Sequence, residues 1–210
     1  MRNTLCVDTP REESLRYSAN ITAGALKVAE SRLIADLLLR RVDQHALREA
    51  IIEANVLQAS AQSTAIRISR LIHARLSLMG PTLWRLIRDG TTTTSTQACL
   101  AAAIKHSALL GDFMDLILRE LYHQNIDLLP TSAWEGYLNE CRARDPGMPN
   151  WHESTRRRLR STVYQTLAQA GYIDTTRTRH LQAVHIARPI LEYLKDNDED
   201  YVVRCIEVSP

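Results

Sequence analysis

The stretch STAIRISRLIHARLSLM, residues 63–79, carries the clearest structural pattern in the chain of 210 residues. At about 100° per residue, its apolar side chains fall on one arc of a helix. That arc contains Ala65, Ile68, Leu71, Ile72, Leu76 and Met79. The opposite arc contains Ser63, Arg67, Arg70 and Ala74. The pattern predicts an amphipathic helix whose outer face carries small polar residues and arginine.

The segments that flank this helix are predicted to be helical as well. Residues 22–41 and 44–56 have apolar side chains at helical spacing, and Asp43 is placed to cap the second segment. Ser63 is placed to cap the third helix, which ends at Gly80, and Pro81 begins the next one. This order is typical of a helix-turn-helix module, whose last helix enters the major groove of DNA.

A second module of the same kind is predicted nearer the C-terminus. Residues 96–110, capped by Thr94 or Ser95, and residues 112–124 form a helical scaffold that breaks at Gly111. Ser132 and Glu135 form a capping box for the next helix, and a longer helix runs from Ser154 to a C-terminal cap at Gly171. The longer helix has an apolar side (Leu159, Val163, Leu167, Ala170) and an outer side (Ser154, Arg157, Arg158, Ser161, Gln165).

The segments after Gly171 have a composition rich in β-branched residues. Residues 180–186 and 201–208 are predicted to form a small β-element, with a short helix at residues 188–197 between them. A strand pair after a recognition helix is typical of a winged helix and would place Arg177 and Arg179 on a phosphate-contacting loop. The expected fold is therefore mainly α, a multi-helical globule with two helix-turn-helix-like modules and a small C-terminal β/wing element. Its expected domains are residues 1–90, 91–130 and 131–210.

The charge of the chain is segregated along the sequence. The net charge is only +2, and the basic residues are 23 arginines and three lysines. Residues 54–88 contain five arginines and no acid, and residues 154–188 contain seven arginines and one acid, Asp174. A GC-rich genome would explain many arginines but not the loss of acids from two blocks. Such local basic blocks indicate a binding site for a polyanion.

Several classes of protein are excluded by what the sequence lacks. The longest stretch without charge runs from Gly90 to Ile104, which is shorter than the roughly 20 residues of a membrane span. The first residues lack the apolar core of a signal peptide, so we expect a cytoplasmic protein. The four cysteines, Cys6, Cys99, Cys141 and Cys205, are far apart and are expected to be reduced core thiols.

Catalytic and cofactor signatures are also missing from the sequence. Neither GxxxxGK[ST] nor GxGxxG occurs, and the seven histidines are scattered without zinc-ligand spacing. Asp112 and Asp115, three residues apart, are expected at a solvated helix edge. We therefore expect no enzymatic activity, no cofactor and no metal.

Five segments, taken in order, resemble the BrxA family of bacteriophage-exclusion (BREX) defence systems. They are EANVLQ (53–58), STAIRISRLIHARL (63–76), ARDP (143–146), ESTRRRLRSTVYQTLAQAGYID (153–174) and EDYVVRCIE (199–207). The resemblance covers about Tyr17 to Glu207. It implies an α-helical, non-enzymatic protein that binds double-stranded DNA through modules at residues 43–79 and 132–171. It also implies partners in the defence system, among them a DNA methyltransferase.

Seven arginines and two serines are the candidate DNA-binding residues. The principal candidates are Arg67, Arg70, Arg157, Arg158, Arg177 and Arg179, and the weaker ones, chiefly for phosphate, are Ser63, Ser154 and Arg160. Contact with about five phosphates would give log K against log salt a slope of about −4.5.

Three alternatives to DNA binding stay open at this point. They are an adaptor that docks an acidic defence protein, an RNA-binding domain and a local transcription regulator. No heptad repeat is sustained, which favours a monomer.

Overall fold

A computed structural model describes residues 16–209 of the protein, apart from the side chain of Gln44. A 3-10 helix at Asn20–Ala23 comes first. The α-helices that follow are α1 (Val28–Leu39), α2 (Gln44–Ile52), α3 (Gln62–Leu76), α4 (Pro81–Asp89), α5 (Thr92–His106), α6 (Ala108–Asp112), α7 (Arg119–His123), α8 (Ala133–Arg144), α9 (Glu153–Ala170), α10 (Arg188–Asp196) and α11 (Asp200–Ile206). A π-helical segment, Phe113–Leu118, joins α6 to α7. The mainly α fold class is confirmed.

Helix α5 forms the centre of the hydrophobic core. Every residue from Gln97 to Ile104 is buried, and α1, α3, α4, α9, α10 and α11 pack around this helix. A helix that is buried on all sides needs small or apolar residues all round, which the run ACLAAAI provides. The Gln97 side chain donates to the His185 carbonyl (2.9 Å) and accepts from the Ala187 amide (2.8 Å). The extended segment before α10 is thereby fixed to the core.

Asp112 is buried, contrary to the solvated helix edge expected for it. Its carboxylate accepts hydrogen bonds from the hydroxyls of Tyr17 (2.6 Å) and Tyr201 (2.7 Å) and from Nη2 of Arg16 (2.7 Å). Because four segments meet at this one carboxylate, it holds the start of the described chain and α11 against the junction of α6 and the π-helical segment.

The predicted helix boundaries are partly confirmed. Asp43 caps α2 by accepting the Ala46 amide at 2.8 Å, and Pro81 occupies the first turn of α4. Gly171 ends α9 in the left-handed conformation, with φ of 85°. Ser132 occupies the N-cap position of α8, but its side chain makes no capping hydrogen bond.

Other predicted boundaries are wrong. Helix α1 begins at Val28 and not at residue 22, because the chain first forms the 3-10 helix and then takes a left-handed turn at Lys27. Ala61 is the N-cap of α3, so Ser63 lies exposed within the first turn and caps nothing. Thr91 caps α5 through the Thr94 amide, one turn before the predicted start.

Gly111 does not break the helical scaffold. The interruption is at Ser107, which has an extended conformation between α5 and α6. A Cβ at position 111 would collide with the Tyr201 hydroxyl, so glycine is needed there for the close approach of α11 and not for a turn.

The predicted C-terminal β-element is wrong. Residues 201–208 lie largely in α11, where Val202, Cys205 and Ile206 are buried on one helical face. Residues 180–186 are extended, but residues 16–209 contain only two isolated antiparallel bridges, Leu128–His180 and Ile173–Leu181, and no strand. The β-branched residues thus enter a helix because their three- and four-residue spacing matches a buried helical face, and context overrides β-propensity.

Three of the expected core thiols are confirmed. Cys99, Cys141 and Cys205 are free and buried, while Cys6 lies outside the described residues. Burial raises the pKa of the Cys99 thiol to about 11, so this group stays protonated at neutral pH.

Candidate nucleic-acid interface

The two faces of α3 are divided as the sequence predicts. Its apolar residues are buried against α1, α2 and α5 (Ala65, Ile68, Leu71, Ile72, Leu76). Ser63, Arg67, Arg70 and Ala74 are exposed. Among the described residues, Arg67 and Arg70 have no hydrogen-bond or ion-pair partner, so their guanidinium groups face solvent with all donors available.

The outer face of α3 borders a groove that the 3-10 helix completes. This α3 groove, of about 600 Å³, is lined by Asn20, Ala23, Ser63, Arg67, Arg70 and His106 together with apolar side chains. The Asn20 amide donates to the His106 carbonyl at 2.7 Å and fixes the far wall. Burial lowers the pKa of the His106 side chain, so it is neutral in the folded protein at pH 7.

Arg75 has a structural role in the same helix. It is 3 % exposed and donates to the backbone carbonyls of Ala25 (2.6 Å) and Gly24 (3.1 Å). Burial lowers its pKa to about 10, which leaves it charged at neutral pH. The segment that follows the 3-10 helix is therefore bound to α3 by a buried cation rather than by a carboxylate pair.

Helix α9 is also divided as predicted. Leu159, Val163 and Leu167 are buried, while Ser154, Arg157, Arg158, Ser161 and Gln165 are exposed. Its inner side packs against α5 and against the 3-10 helix.

The four arginines at the start of α9 differ in their contacts. Arg156 pairs with Glu135 of α8 and joins these two helices. Arg158 donates its Nε to the Thr22 carbonyl at 3.0 Å, which binds α9 to the 3-10 helix. Arg157 lies 3.5 Å from Glu153 in an exposed pair, a contact that is weak in water. Arg160 has no ion-pair partner among the described residues.

The loop after α9 is ordered around Asp174. Its carboxylate accepts from the amides of Thr175 (2.6 Å) and His180 (2.8 Å) and from the Thr178 hydroxyl (2.7 Å). The hydrogen bond from Thr178 and those from the two amides lower the pKa of the Asp174 carboxyl. The loop presents Arg177 to solvent at its tip, as predicted, although no strands support it.

A smaller cleft brings three of the candidate arginines together. The α9 cleft, of about 310 Å³, is lined by Arg157, Arg160 and Arg179 and by the hydroxyl residues Thr131, Ser161, Tyr164 and Thr176. Arg179 has a left-handed backbone (φ 61°), and its Nε donates to the Leu129 carbonyl at 3.2 Å. This anchors its guanidinium group at the edge of the cleft.

The 3-10 helix connects the candidate arginines of α3 with Arg158 of α9. The 3-10 helix lies between α3 and α9, and it contacts both helices. Ala23 lines the groove that holds Arg67 and Arg70, while the adjacent Thr22 accepts the hydrogen bond from Arg158. The arginine faces of the two modules are therefore joined by four residues of helix.

Several residues of these sites could not have been selected from sequence. Asn20 and His106 enter the α3 groove from distant segments, and Thr131 and Thr176 enter the α9 cleft from loops. Tyr164 is the exception, because it lies on the same helical side as Arg157 and Arg160 at spacings of seven and four residues.

Residues 16–209 contain neither a candidate metal site nor a candidate membrane-spanning helix. No group of three or more His, Cys, Asp or Glu residues is arranged to hold a metal ion in this range. Within the same residues, no helix has the length and apolar character to cross a bilayer.

The chain is similar to known proteins over most of its length. A family model described as BrxA matches residues 15–198. A "BREX protein BrxA" of Paramagnetospirillum magneticum is 48% identical over 194 residues, which cover 92% of this chain and 98% of that protein. A "BREX protein BrxA" of Escherichia coli O9:H4 is 32% identical over 185 residues, which cover 87% of each chain.

A solved structure supports the same relationship. The crystal structure of an uncharacterized protein from Magnetospirillum magneticum matches with a TM-score of 0.86 and 47% identity. The match covers 92% of this chain and 100% of that one. The chain therefore belongs to the BrxA family of BREX phage-defence systems.

Proposed function

We propose that this BrxA-family protein binds double-stranded DNA as a non-enzymatic component of its defence system. The contact surface extends from Arg67 and Arg70 on α3, across the 3-10 helix, to α9 and the Arg177 loop. In this proposal the protein acts as a monomer in the cytoplasm, alongside the other BREX proteins.

The observation that carries the proposal is that the candidate arginines, with one exception, lack the carboxylate partners that many other cations have. Ten of the 17 other described Lys and Arg residues form ion pairs with carboxylates, for example Arg40 with Asp36 (2.7 Å) and Arg188 with Glu192 (2.7 Å). Of the seven candidate arginines, only Arg157 has a carboxylate within 4 Å among the described residues. Guanidinium groups without carboxylate partners match the phosphates of a nucleic acid.

Duplex DNA fits this surface better than single strands or folded RNA. The described aromatic side chains are buried, as where Phe113 packs against Trp134 and Tyr137, or half-buried, and so they offer no exposed row for stacking bases. Helix α3 carries its two unpaired arginines on an exposed face, which suits the wide major groove of B-form DNA. The narrow major groove of A-form RNA would exclude it.

The loops before the two helices depart from the simplest helix-turn-helix geometry. Residues 53–61 separate α2 from α3 and residues 145–152 separate α8 from α9, whereas a usual turn has about 3–4 residues. The proposal therefore relies on the arginine faces and not on the turn. The proposal predicts strong contacts with the DNA phosphates and few side chains that contact the bases.

The test is a fluorescence anisotropy titration of the full chain with specific and scrambled duplexes at about 50 and 200 mM salt. We expect binding to both duplexes at low salt and a steep loss of affinity at high salt. An affinity that does not respond to salt, or an absence of binding at low salt, would refute the proposal. Competition with structured RNA separates the duplex DNA hypothesis from the RNA hypothesis.

An adaptor role is the second candidate, and one surface favours it. A groove of about 680 Å³ between α2 and α3 has an apolar floor that includes Leu47, Ile51 and Ile66, with Arg48 and His73 at its rim. An apolar floor with a basic rim suits an acidic amphipathic helix of another defence protein. Co-purification that survives nuclease treatment, combined with no binding to DNA, would favour this role.

A further inference from the structure

The α9 cleft has the composition of an anion-binding site. Its cationic side chains, Arg157, Arg160 and Arg179, come from two separate elements, and no carboxylate lines it. The nearest acid on the adjacent helix, Glu135, is already paired with Arg156. Arg157 forms a weak exposed pair with Glu153, but Arg160 and Arg179 have no carboxylate partner among the described residues, so the cleft holds their uncompensated positive charge.

The donors in the cleft are held in position before any ligand arrives. The Arg179 Nε donates to the Leu129 carbonyl, so its terminal nitrogens are left for the cleft. No described residue accepts a hydrogen bond from those terminal nitrogens. The Arg179 backbone is in turn bonded to Thr175 (3.0 Å) within the ordered loop. Fixed donors lose less conformational entropy when they bind a ligand.

Tyr164 provides an independent indication of a ligand. The Tyr164 side chain lines the cleft and is 6 % exposed, and within the described structure its buried hydroxyl has no hydrogen-bond partner. A buried hydroxyl without a partner is unfavourable, and such groups are rare in folded proteins. Burial raises the pKa of Tyr164, while the nearby Arg160 and Arg179 act in the opposite direction. The hydroxyl is therefore a neutral donor, suited to an anionic oxygen.

We infer that the α9 cleft binds one phosphate group, with Arg160, Arg179 and the Tyr164 hydroxyl as its donors. Two guanidinium groups that approach from different directions, together with hydroxyl donors, suit a tetrahedral oxyanion better than a planar carboxylate. The assignment of this phosphate group to a phosphodiester of the DNA backbone rests on the proposed function. The anion site itself does not depend on it.

The test is calorimetric titration of the full chain with inorganic phosphate, followed by titration with duplex DNA. We expect phosphate to bind, and Tyr164→Phe to weaken that binding by about tenfold, since a hydrogen bond to a charged group is lost. Arg160→Gln should weaken it at least as much. Tyr193→Phe and Arg188→Gln are the matched controls, because both groups lie on α10, and neither should change the affinity. Circular dichroism checks that each variant is folded.

The outcomes separate the two proposals. No phosphate binding by the unaltered protein, or equal affinity in Tyr164→Phe and Arg160→Gln, would overturn the phosphate site. Loss of phosphate binding in these variants, in a protein that does not bind DNA, would keep the site and refute the DNA proposal. DNA binding that is unchanged in both variants would keep the DNA proposal and place the cleft outside the DNA contact.

Discussion

Replacing Arg67 and Arg70 together by Gln should reduce both the DNA affinity and its dependence on salt. Both side chains are exposed, and neither makes a hydrogen bond or an ion pair within residues 16–209, so the change removes two charges without removing a structural contact. Surface substitutions of this kind alter stability by about 0.5 kcal/mol or less. Any loss of binding is then a loss of contact with DNA.

The magnitude follows from the number of unpaired candidate arginines. Arg67, Arg70, Arg160, Arg177 and Arg179 have no carboxylate partner among the described residues. If each neutralises one phosphate, the slope of log K against log salt is about −4.5, and affinity falls about 500-fold between 50 and 200 mM salt. Without Arg67 and Arg70 the slope becomes about −2.7, and the fall becomes about 40-fold.

The assay is an anisotropy titration at four salt concentrations with one duplex. The control is Arg40→Gln combined with Arg188→Gln, which removes the same charge from two arginines that pair with Asp36 and Glu192. The control should keep the original slope. An unchanged slope in the α3 variant, or the same change in slope in the control, would refute the assignment of this face.

Three further predictions concern the fold and the loop. Asp112→Asn should destabilise the protein by about 3 kcal/mol in urea unfolding, because a buried carboxylate loses charged hydrogen bonds; a shift near zero would contradict its role. Asp174→Ala should speed the amide exchange of His180 by about tenfold, since that amide loses its acceptor; unchanged exchange would show that the loop is held by other contacts. Burial raises the pKa of Tyr17 and Tyr122 to about 12, from 10.0. The folded state therefore holds these protons more tightly than the unfolded chain, so stability is full below about pH 10 and declines as the pH rises to about 12; equal urea midpoints at about pH 8 and pH 11 would be inconsistent with this.

The exposed arginine faces of α3 and α9 were predictable because the spacing of apolar residues along a helix indicates which of its sides is buried. In α3 and α9 the apolar side chains recur at helical spacing, so the complementary arc had to face solvent. Gly171 and Asp43 were predictable for local reasons, since a left-handed C-terminal cap favours glycine and an N-cap favours a short acidic side chain.

The C-terminal element was not predictable from composition alone. The run YVVRCIEV (201–208) is β-rich, yet α11 packs against α5 and the π-helical segment, where a helix buries Val202, Cys205 and Ile206 together. A strand at the same place would have needed a partner strand, and the described residues provide none. Tertiary packing decided the conformation.

The residues that line the α3 groove and the α9 cleft were only partly predictable from the sequence, for a different reason. Arg157, Arg160 and Tyr164 could be chosen from one helix, but Thr131 and Thr176 became part of the cleft through contacts between distant segments. Spacing along the sequence indicates which residues are neighbours on one helix, but it does not indicate which loop packs beside that helix.

The 3-10 helix at Asn20–Ala23 acts as a spacer of fixed length between the arginine face of α3 and that of α9. Arg158 of α9 donates to its backbone, and Arg75 of α3 donates to the two residues that follow it. Because these bonds end on carbonyls and not on carboxylates, dissolved ions compete with them far less than with phosphate contacts. If the protein binds DNA as proposed, high salt would weaken the phosphate contacts while these backbone bonds still hold α3 and α9 to the 3-10 helix.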